Sequence, residues 1–337
     1  MEYGRLGKTD LMVSELGFGC IPITRLSRNE ATDLIHYAMD KGVTFFDTAN
    51  GYFDSEEKLG YAFKGIRSKV VIATKSLRRD GKGVIEHLEL SLKRLQTDYI
   101  DLFQLHQVSK EEDFKTIFSG DGAFKALEKA QKDGKIRYIG VTSHNDKMAK
   151  RLIETGLFET IQFPFNFIEL QAEQELFPTA KKLGLGIIIM KPFGGGSLDN
   201  GKLALRFQKM HKGYIPIPGF EAKWQVDEAI EVYSEKNVEL TKEELAEIER
   251  YRNELGKFFC RRCEYCLPCP SGVTIPFAMQ LKSFVKRMHK EKLNDFKKDI
   301  DSILNCTECG ECIEKCPYEL PIPHTIRENY EAYKNMK

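Results

Sequence analysis

The chain has 337 residues, 42% of them hydrophobic, which is enough apolar material for one large domain or two ordinary ones and excludes a disordered chain. Its 51 basic and 50 acidic side chains leave a net charge of +1, so no global field is available to hold nucleic acid or an anionic membrane, and a small-molecule or protein partner is expected. The N-terminal "MEYGRLGKTD" has no basic segment leading into an apolar core, and the longest clean apolar run is "LGIIIM", so a cytoplasmic protein without a membrane span is expected.

Along the chain, short β-rich runs are expected to end near Cys20, Thr48, Lys75, His106, Thr142, Pro164, Met190 and Pro218, each followed by a segment with helical spacing. Ser27 with Glu30, and Thr241 with Glu244, predict capping boxes at two helix starts. Gly42, Gly65, Gly134, Gly156 and Gly184 predict helix ends. Eight strand–helix repeats in roughly 250 residues fit a closed (β/α)8 TIM barrel better than an open doubly wound sheet. The first strand also lacks a spaced-glycine dinucleotide fingerprint. Eight of the nine cysteines lie after residue 259, which predicts a barrel over residues 1–256 and a second, small domain over residues 257–337.

Chemistry in such barrels collects on the rim where the strands end. "VTFFDTANGY" ends a strand on Asp47 and places Tyr52 five residues later, "VVIATK" ends on Lys75, and "YIDLFQLH" ends on His106. Taken singly, each has a structural explanation as a cap, a loop aromatic, a solvent-facing lysine or a core histidine. Together they suit proton transfer. A phenol with a reference pKa of about 10 is a poor acid at neutral pH, and an adjacent ammonium lowers that value. Lys75 would supply the charge, Asp47 would hold Lys75, and His106 would orient a carbonyl oxygen.

"FFDTANGYFDSEEKLG", "VVIATK", "DLFQLH", "YIGVTSHN" and "IPIPG", in this order, resemble the aldo-keto reductase family across residues 1–256. The resemblance implies a catalytic tetrad of Asp47, Tyr52, Lys75 and His106, with Tyr52 as general acid and hydride delivered from NAD(P)H to a carbonyl. It further implies that Ser143, His144, Asn145 and Gln162 hold the nicotinamide carboxamide. "KPFGGGSL", with Lys191, Phe193, Gly194 and Gly195, would pass the pyrophosphate, the rival reading being a plain flexible turn. Relatives using NADPH carry a cationic clamp after the eighth strand, where this chain has Gly219, Phe220 and Gln225. Lys223 is the only cation nearby in sequence, and Glu221 is placed to accept a ribose hydroxyl, which leans the expectation toward NADH. Phe53, Phe165 and Phe193 are candidates to line the substrate site, with core packing the alternative for Phe165.

The cysteines carry the second signal. "CRRCEYCLPCP" holds Cys260, Cys263, Cys266 and Cys269, and "CTECGECIEKCP" holds Cys306, Cys309, Cys312 and Cys316, each closed by a proline. Four-cysteine sets of this spacing favour iron-sulfur clusters over zinc, the second having the spacing of a bacterial ferredoxin half-site. Apolar residues at Phe277, Leu281, Phe284, Val285 and Met288 predict helices between the halves. The tail resembles the helical two-cluster ferredoxin type, which implies two 4Fe-4S clusters with crossed ligands: Cys260, Cys263 and Cys266 with Cys316, and Cys306, Cys309 and Cys312 with Cys269. The first motif departs from the pattern by having two residues instead of three before its fourth cysteine. Cys20 reads as a buried structural thiol. The basic "KSFVKRMHKEKLNDFKK" reads either as a solvated helix face or as a dock for an acidic electron carrier.

The sequence therefore points to an oxidoreductase acting on a small carbonyl or alcohol and carrying clusters for electron transfer, redox sensing or structure. The alternatives are an iron-sulfur electron-transfer protein with the barrel as nucleotide-binding or docking scaffold, and a nicotinamide-binding regulator without turnover.

Overall fold

Short, largely apolar runs that are buried on both faces yield eight parallel strands: β3 (Phe18–Gly19), β4 (Phe45–Asp47), β5 (Val71–Ser76), β6 (Ile100–Leu105), β7 (Ile136–Thr142), β8 (Thr160–Pro164), β9 (Gly186–Met190) and β10 (Tyr214–Pro216). They pair in sequence order from β3 to β10 in a computed structural model that describes residues 1–236, 238–287 and 293–335. Gly17 N donates to Pro216 O (2.9 Å) and Gly19 N to Pro218 O (2.8 Å), while Gly19 bridges Gly219, so the last strand meets the first and the barrel closes. Each strand ends within about two residues of its expected position, and helices follow each of them, among them α1 (Arg28–Asp40), α2 (Ser55–Ala62) and α3 (Gly81–Leu95).

The local signals hold where they can be seen. Ser27 and Glu30 form a reciprocal capping box at the start of α1. The five glycines expected to end helices all have positive φ, the conformation that favours glycine. A helix begins at Lys242, one residue after Thr241. Among the described residues no helix is long and apolar enough to cross a membrane.

A hairpin of β1 (Tyr3–Arg5) and β2 (Met12–Ser14), not anticipated from the sequence, precedes the barrel. Its Leu6, Leu11 and Val13 pack with Phe45, Val71, Ala73, Leu102, Ile188, Ile215 and Ile217, giving the barrel an apolar floor. Above that floor the interior becomes polar, with Asp47, Gln104 and Gln162 contributed by the alternate strands β4, β6 and β8, in the way barrel layers are normally filled. Gly140 on β7 makes room for them: a Cβ there would lie 2.2 Å from Thr160 Oγ1 and 3.1 Å from Gln104 Cγ.

The chain divides into two compact units, Met1–Thr241 and Lys242–Lys337. The boundary thus falls before the helix Lys242–Leu255, whereas cysteine usage had placed it at 256/257. The helix itself contains no cysteine, so composition could not assign it to the second unit. Helices Ile275–Ala278, Leu281–Arg287 and Lys297–Asp301 lie between the cysteine motifs, as expected. Phe277, Phe284 and Val285 pack against a core containing Leu281, while Met288 lies outside the described residues, as does part of the basic stretch.

Gly140→Ala should lower the thermal midpoint, on the order of 1–3 kcal/mol of lost stability, because the methyl must displace the Thr160 hydroxyl or the Gln104 side chain. Calorimetry checks this, and an unchanged midpoint would mean that the layer yields without strain.

Candidate active site and cluster cradles

Asp47, at the end of β4, and Lys75, near the end of β5, are buried at 3% and 2% exposure. Lys75 Nζ donates to Asp47 Oδ1 (2.5 Å) and to Thr48 O (2.6 Å), and it lies 5.2 Å from the centroid of the Tyr52 ring. Asp47 also accepts from Gln162 Nε2 at Oδ1 and from Gln104 Nε2 at Oδ2, both at 3.3 Å. The Tyr52 ring meets His106 edge to face at 5.8 Å. The four residues expected on one rim are therefore together.

The loop that presents Tyr52 is tied down at both ends. Asn50 N donates to Lys75 O (3.0 Å), Tyr52 N to Ala49 O (2.9 Å) and Ser55 N to Tyr52 O (2.9 Å). Arg94 Nη1 holds Asn50 O (3.0 Å), and Asn50 Nδ2 donates to His87 O and Ser91 Oγ, anchoring the loop on α3. Phe53 adopts a left-handed φ of 45°, uncommon outside glycine, and is half exposed.

Electrostatics divide the roles. Burial is the largest influence on Asp47 and raises its pKa, with Lys75, Gln162 and Gln104 pulling the other way. For Lys75, burial works against the ammonium, but Asp47 and then Tyr52 outweigh it, and the pKa stands above the ordinary lysine value. Burial, then the charges of Lys75 and Arg79, push His106 down to about 3, so the imidazole is neutral and keeps one N–H to donate. Cys20 is buried beside this group, its thiol donating to Phe18 O (3.4 Å), and burial holds its pKa well above the usual thiol value. It is a packed neutral thiol.

Ser143, His144, Asn145 and Gln162 are all buried next to one another, with Ser143 N donating to Gln162 O (3.2 Å). Asn145 Oδ1 caps the helix Asp146–Glu154 by accepting from Met148 N (2.9 Å). Gln162 Oε1 is buried and has no hydrogen-bond partner among the described residues, which leaves an acceptor of the kind a carboxamide N–H2 would satisfy. In "KPFGGGSL", Lys191, Gly194, Gly195 and Gly196 all have positive φ. Phe193, half-buried, lends its carbonyl to Gly196 N and Leu198 N. These bonds and angles make the segment a hydrogen-bonded turn.

Two expectations on the loop after the last strand need correction. Lys223 is not the only cation there, because Arg25, from the loop after β3, binds Glu221 through Nε (2.7 Å). Glu221 is therefore ion-paired, and the repulsion that favoured NADH is offset. Gln225 is occupied in accepting from Glu221 N (2.8 Å) and Ala222 N (3.2 Å), and Gly219 packs where a Cβ would meet Pro22 at 2.6 Å. Phe165 is fully buried among Phe177, Phe207, His211 and Tyr214 and belongs to the core.

In the second unit the two cysteine motifs fold alike. Arg262 and Glu264 flank Cys263 with positive φ, as Glu308 and Gly310 flank Cys309. Three residues after the last cysteine of each motif, Gly272 and Glu319 again have positive φ, and their N–H groups return to Cys269 O (3.0 Å) and Cys316 O (3.1 Å). "CPSGVTIP" and "CPYELPIP" are thus two copies of one turn. Cys260, Cys263, Cys266 and Cys316 line one small cavity. Cys269, Cys306, Cys309 and Cys312 line another, which Cys266 also borders. The grouping parallels the crossed sets that the resemblance implied, except that Cys266 borders both cavities, and thiolates in such sets are the ligand type of four-iron clusters.

Gln104, Arg25 and Arg94 were not singled out from the sequence. Gln104 shares the inward parity of His106, two residues on, which was the available signal. The two arginines join residues far apart in the chain and left none.

Comparison with known proteins agrees with this geometry. The model of the aldo/keto reductase family matches residues 15–204, and that of the 4Fe-4S dicluster domain matches residues 259–321. An uncharacterized oxidoreductase of Bacillus subtilis, YrpG, is 34% identical over 236 residues, covering 60% of this chain and 70% of that protein. A second from the same organism, YqkF, is 28% identical over 230 residues, covering 64% and 72%. The solved holo form of an aldo-keto reductase from Bacillus halodurans superposes with a TM-score of 0.64 at 26% identity, covering 74% of this chain and 96% of that one.

The histidine carries a pH prediction. Its pKa falls from 6.5 to about 3 on folding, so between those values the unfolded chain binds the extra proton, and stability contributed by the neutral ring is lost as pH falls through this window. Urea denaturation at pH 7 and pH 5 should show a smaller loss for His106→Gln than for the parent. Equal losses would mean that the folded ring accepts the proton.

Proposed function

The chain belongs to the aldo/keto reductase family, and we propose that it reduces a small carbonyl substrate with NAD(P)H, using Tyr52 as the proton donor. The observation that supports this best is the buried Lys75–Asp47 pair close to the Tyr52 ring, with a neutral His106 edge to face against that ring. Ser143, Asn145 and Gln162 would hold a reduced nicotinamide, which would supply the two electrons of the reduction. The residues of the chain manage the proton and the oxygen. His106 donates a hydrogen bond to the carbonyl oxygen without bringing a competing charge. Tyr52 gives its hydroxyl proton to that oxygen as it becomes an alkoxide, and the Lys75 ammonium stabilises the phenolate left behind. Asp47 keeps Lys75 in place and charged.

For the adenosine end of the coenzyme, Arg25 and Glu221 offer one charge of each sign, and we assign no preference between NADH and NADPH. The second unit is proposed to hold two four-iron clusters on its crossed cysteine sets. No flavin-binding motif is readable in the chain, so a two-electron hydride and one-electron clusters lack an obvious intermediary here.

Tyr52→Phe removes one oxygen and leaves the ring and the fold in place. Carbonyl reduction should fall by roughly a hundredfold or more, with nucleotide binding retained. Full turnover by this variant would refute the assignment. Anaerobically prepared protein should contain roughly eight iron atoms per chain, and Cys309→Ala should contain about half of that. Zinc in place of iron would overturn the cluster reading.

A further inference from the structure

Three donors converge on the Asp47 carboxylate. Oδ1 accepts from Lys75 Nζ and Gln162 Nε2, and Oδ2 accepts from Gln104 Nε2. Carboxylate oxygens only accept, so both amides are obliged to turn their NH2 groups inward. The consequence is visible on their other side: Gln104 Oε1 and Gln162 Oε1 are both buried without a hydrogen-bond partner among the described residues. For Gln162 the proposed function supplies a donor, the nicotinamide carboxamide. For Gln104 it supplies none.

Gln104 is fully buried at 0% exposure on β6, between Lys75 on β5 and Gly140 on β7 in the strand register. A leucine or methionine would fill the same space without an unpaired carbonyl, and Leu102, two residues earlier on the same face, does so. Gly140 gives up its own side chain where a Cβ would approach Gln104 Cγ. A buried amide that leaves its acceptor unpaired while donating to a carboxylate is oriented by that carboxylate. Packing alone does not account for it.

We propose that Gln104 is a positioning residue of the reductase, which keeps the Asp47 carboxylate aimed at Lys75 and so keeps the ammonium beneath Tyr52. The inference rests on the tetrad reading given above. Without Gln104, Oδ2 loses its donor, the carboxylate is free to rotate, and Lys75 is held only through Thr48 O and a displaced Oδ1. The groups that face Asp47 are Lys75 from β5, Gln104 from β6, Gln162 from β8 and the Cys20 thiol after β3. Tyr52 faces Lys75, and Lys75 with Arg79 faces His106.

The test uses Gln104→Met, which keeps length and volume but removes the donor, and Gln104→Glu, with Tyr52→Phe as control, in the full chain. Gln104→Met should lower kcat for carbonyl reduction roughly ten- to a hundredfold, with KM for the nucleotide within about twofold of the parent. Its acid limb in kcat/KM should move to higher pH, since an ionised Asp47 has lost a hydrogen bond. Gln104→Glu should regain activity as pH falls, because the protonated acid can donate as the amide does. A Gln104→Met protein with parental kcat and pH profile overturns the proposal, whatever its melting temperature. If Gln104→Met does not fold, Gln104→Glu decides, and a parental pH profile in that variant overturns the proposal. Retained turnover in Tyr52→Phe would instead bring down the tetrad reading and this inference with it.

Discussion

A lysine and an aspartate buried together 2.5 Å apart inside a barrel set the terms for everything around them. Taking two charges out of water costs several kcal/mol for each ion, and mutual attraction offsets that only if the remaining donors and acceptors are met. Here Thr48 O takes a second lysine proton, and two glutamines from alternate strands supply the carboxylate. The barrel interior is therefore apolar below and polar above, and the boundary between the two is the floor of the candidate active site. The same pair fixes the electrostatics of its neighbours. The Lys75 charge lies 5.2 Å from the centroid of the Tyr52 ring and contributes to holding His106 neutral, so that one ion pair acts on both rings.

The second unit meets a different constraint, namely how a short loop turns several sulfurs toward one centre. Its answer is written twice. Left-handed residues on either side of the middle cysteine fold each C-x-x-C-x-x-C run around a cavity, and a proline-led turn after the fourth cysteine carries that sulfur to the opposite cavity. Three of the four residues in the middle positions are not glycine, so the backbone strain is accepted for the sake of the cradle. Two clusters that each change by one electron would match a hydride in electron count while differing from it in delivery.

Much of this was legible because the chemistry follows the period of the strands. Asp47, Lys75 and His106 all stand at strand ends, where an apolar run gives way to a charged residue, and Tyr52 follows at a fixed distance. The cysteine spacing was equally plain. Gln104 was not, because a neutral amide inside an apolar run resembles ordinary strand filling, and its meaning depends on a carboxylate 57 residues away. Arg25 was missed for the same reason, since the closure of the barrel brings it to Glu221 across 196 residues. The hairpin β1–β2 consists of three-residue strands, too short for a pattern to register. The unit boundary falls just before the charged amphipathic helix Lys242–Leu255, which carries no compositional mark.

The central claim is that the polar face of the barrel transfers a hydride from nicotinamide to a carbonyl carbon. The most direct measurement follows deuterium from NAD(P)H labelled at C4 into the alcohol formed from an aromatic aldehyde, read by mass spectrometry on anaerobically purified protein. Deuterium on the carbinol carbon is the predicted result. Nucleotide oxidation with cluster reduction but no labelled alcohol, across a panel of carbonyl compounds, would contradict the account.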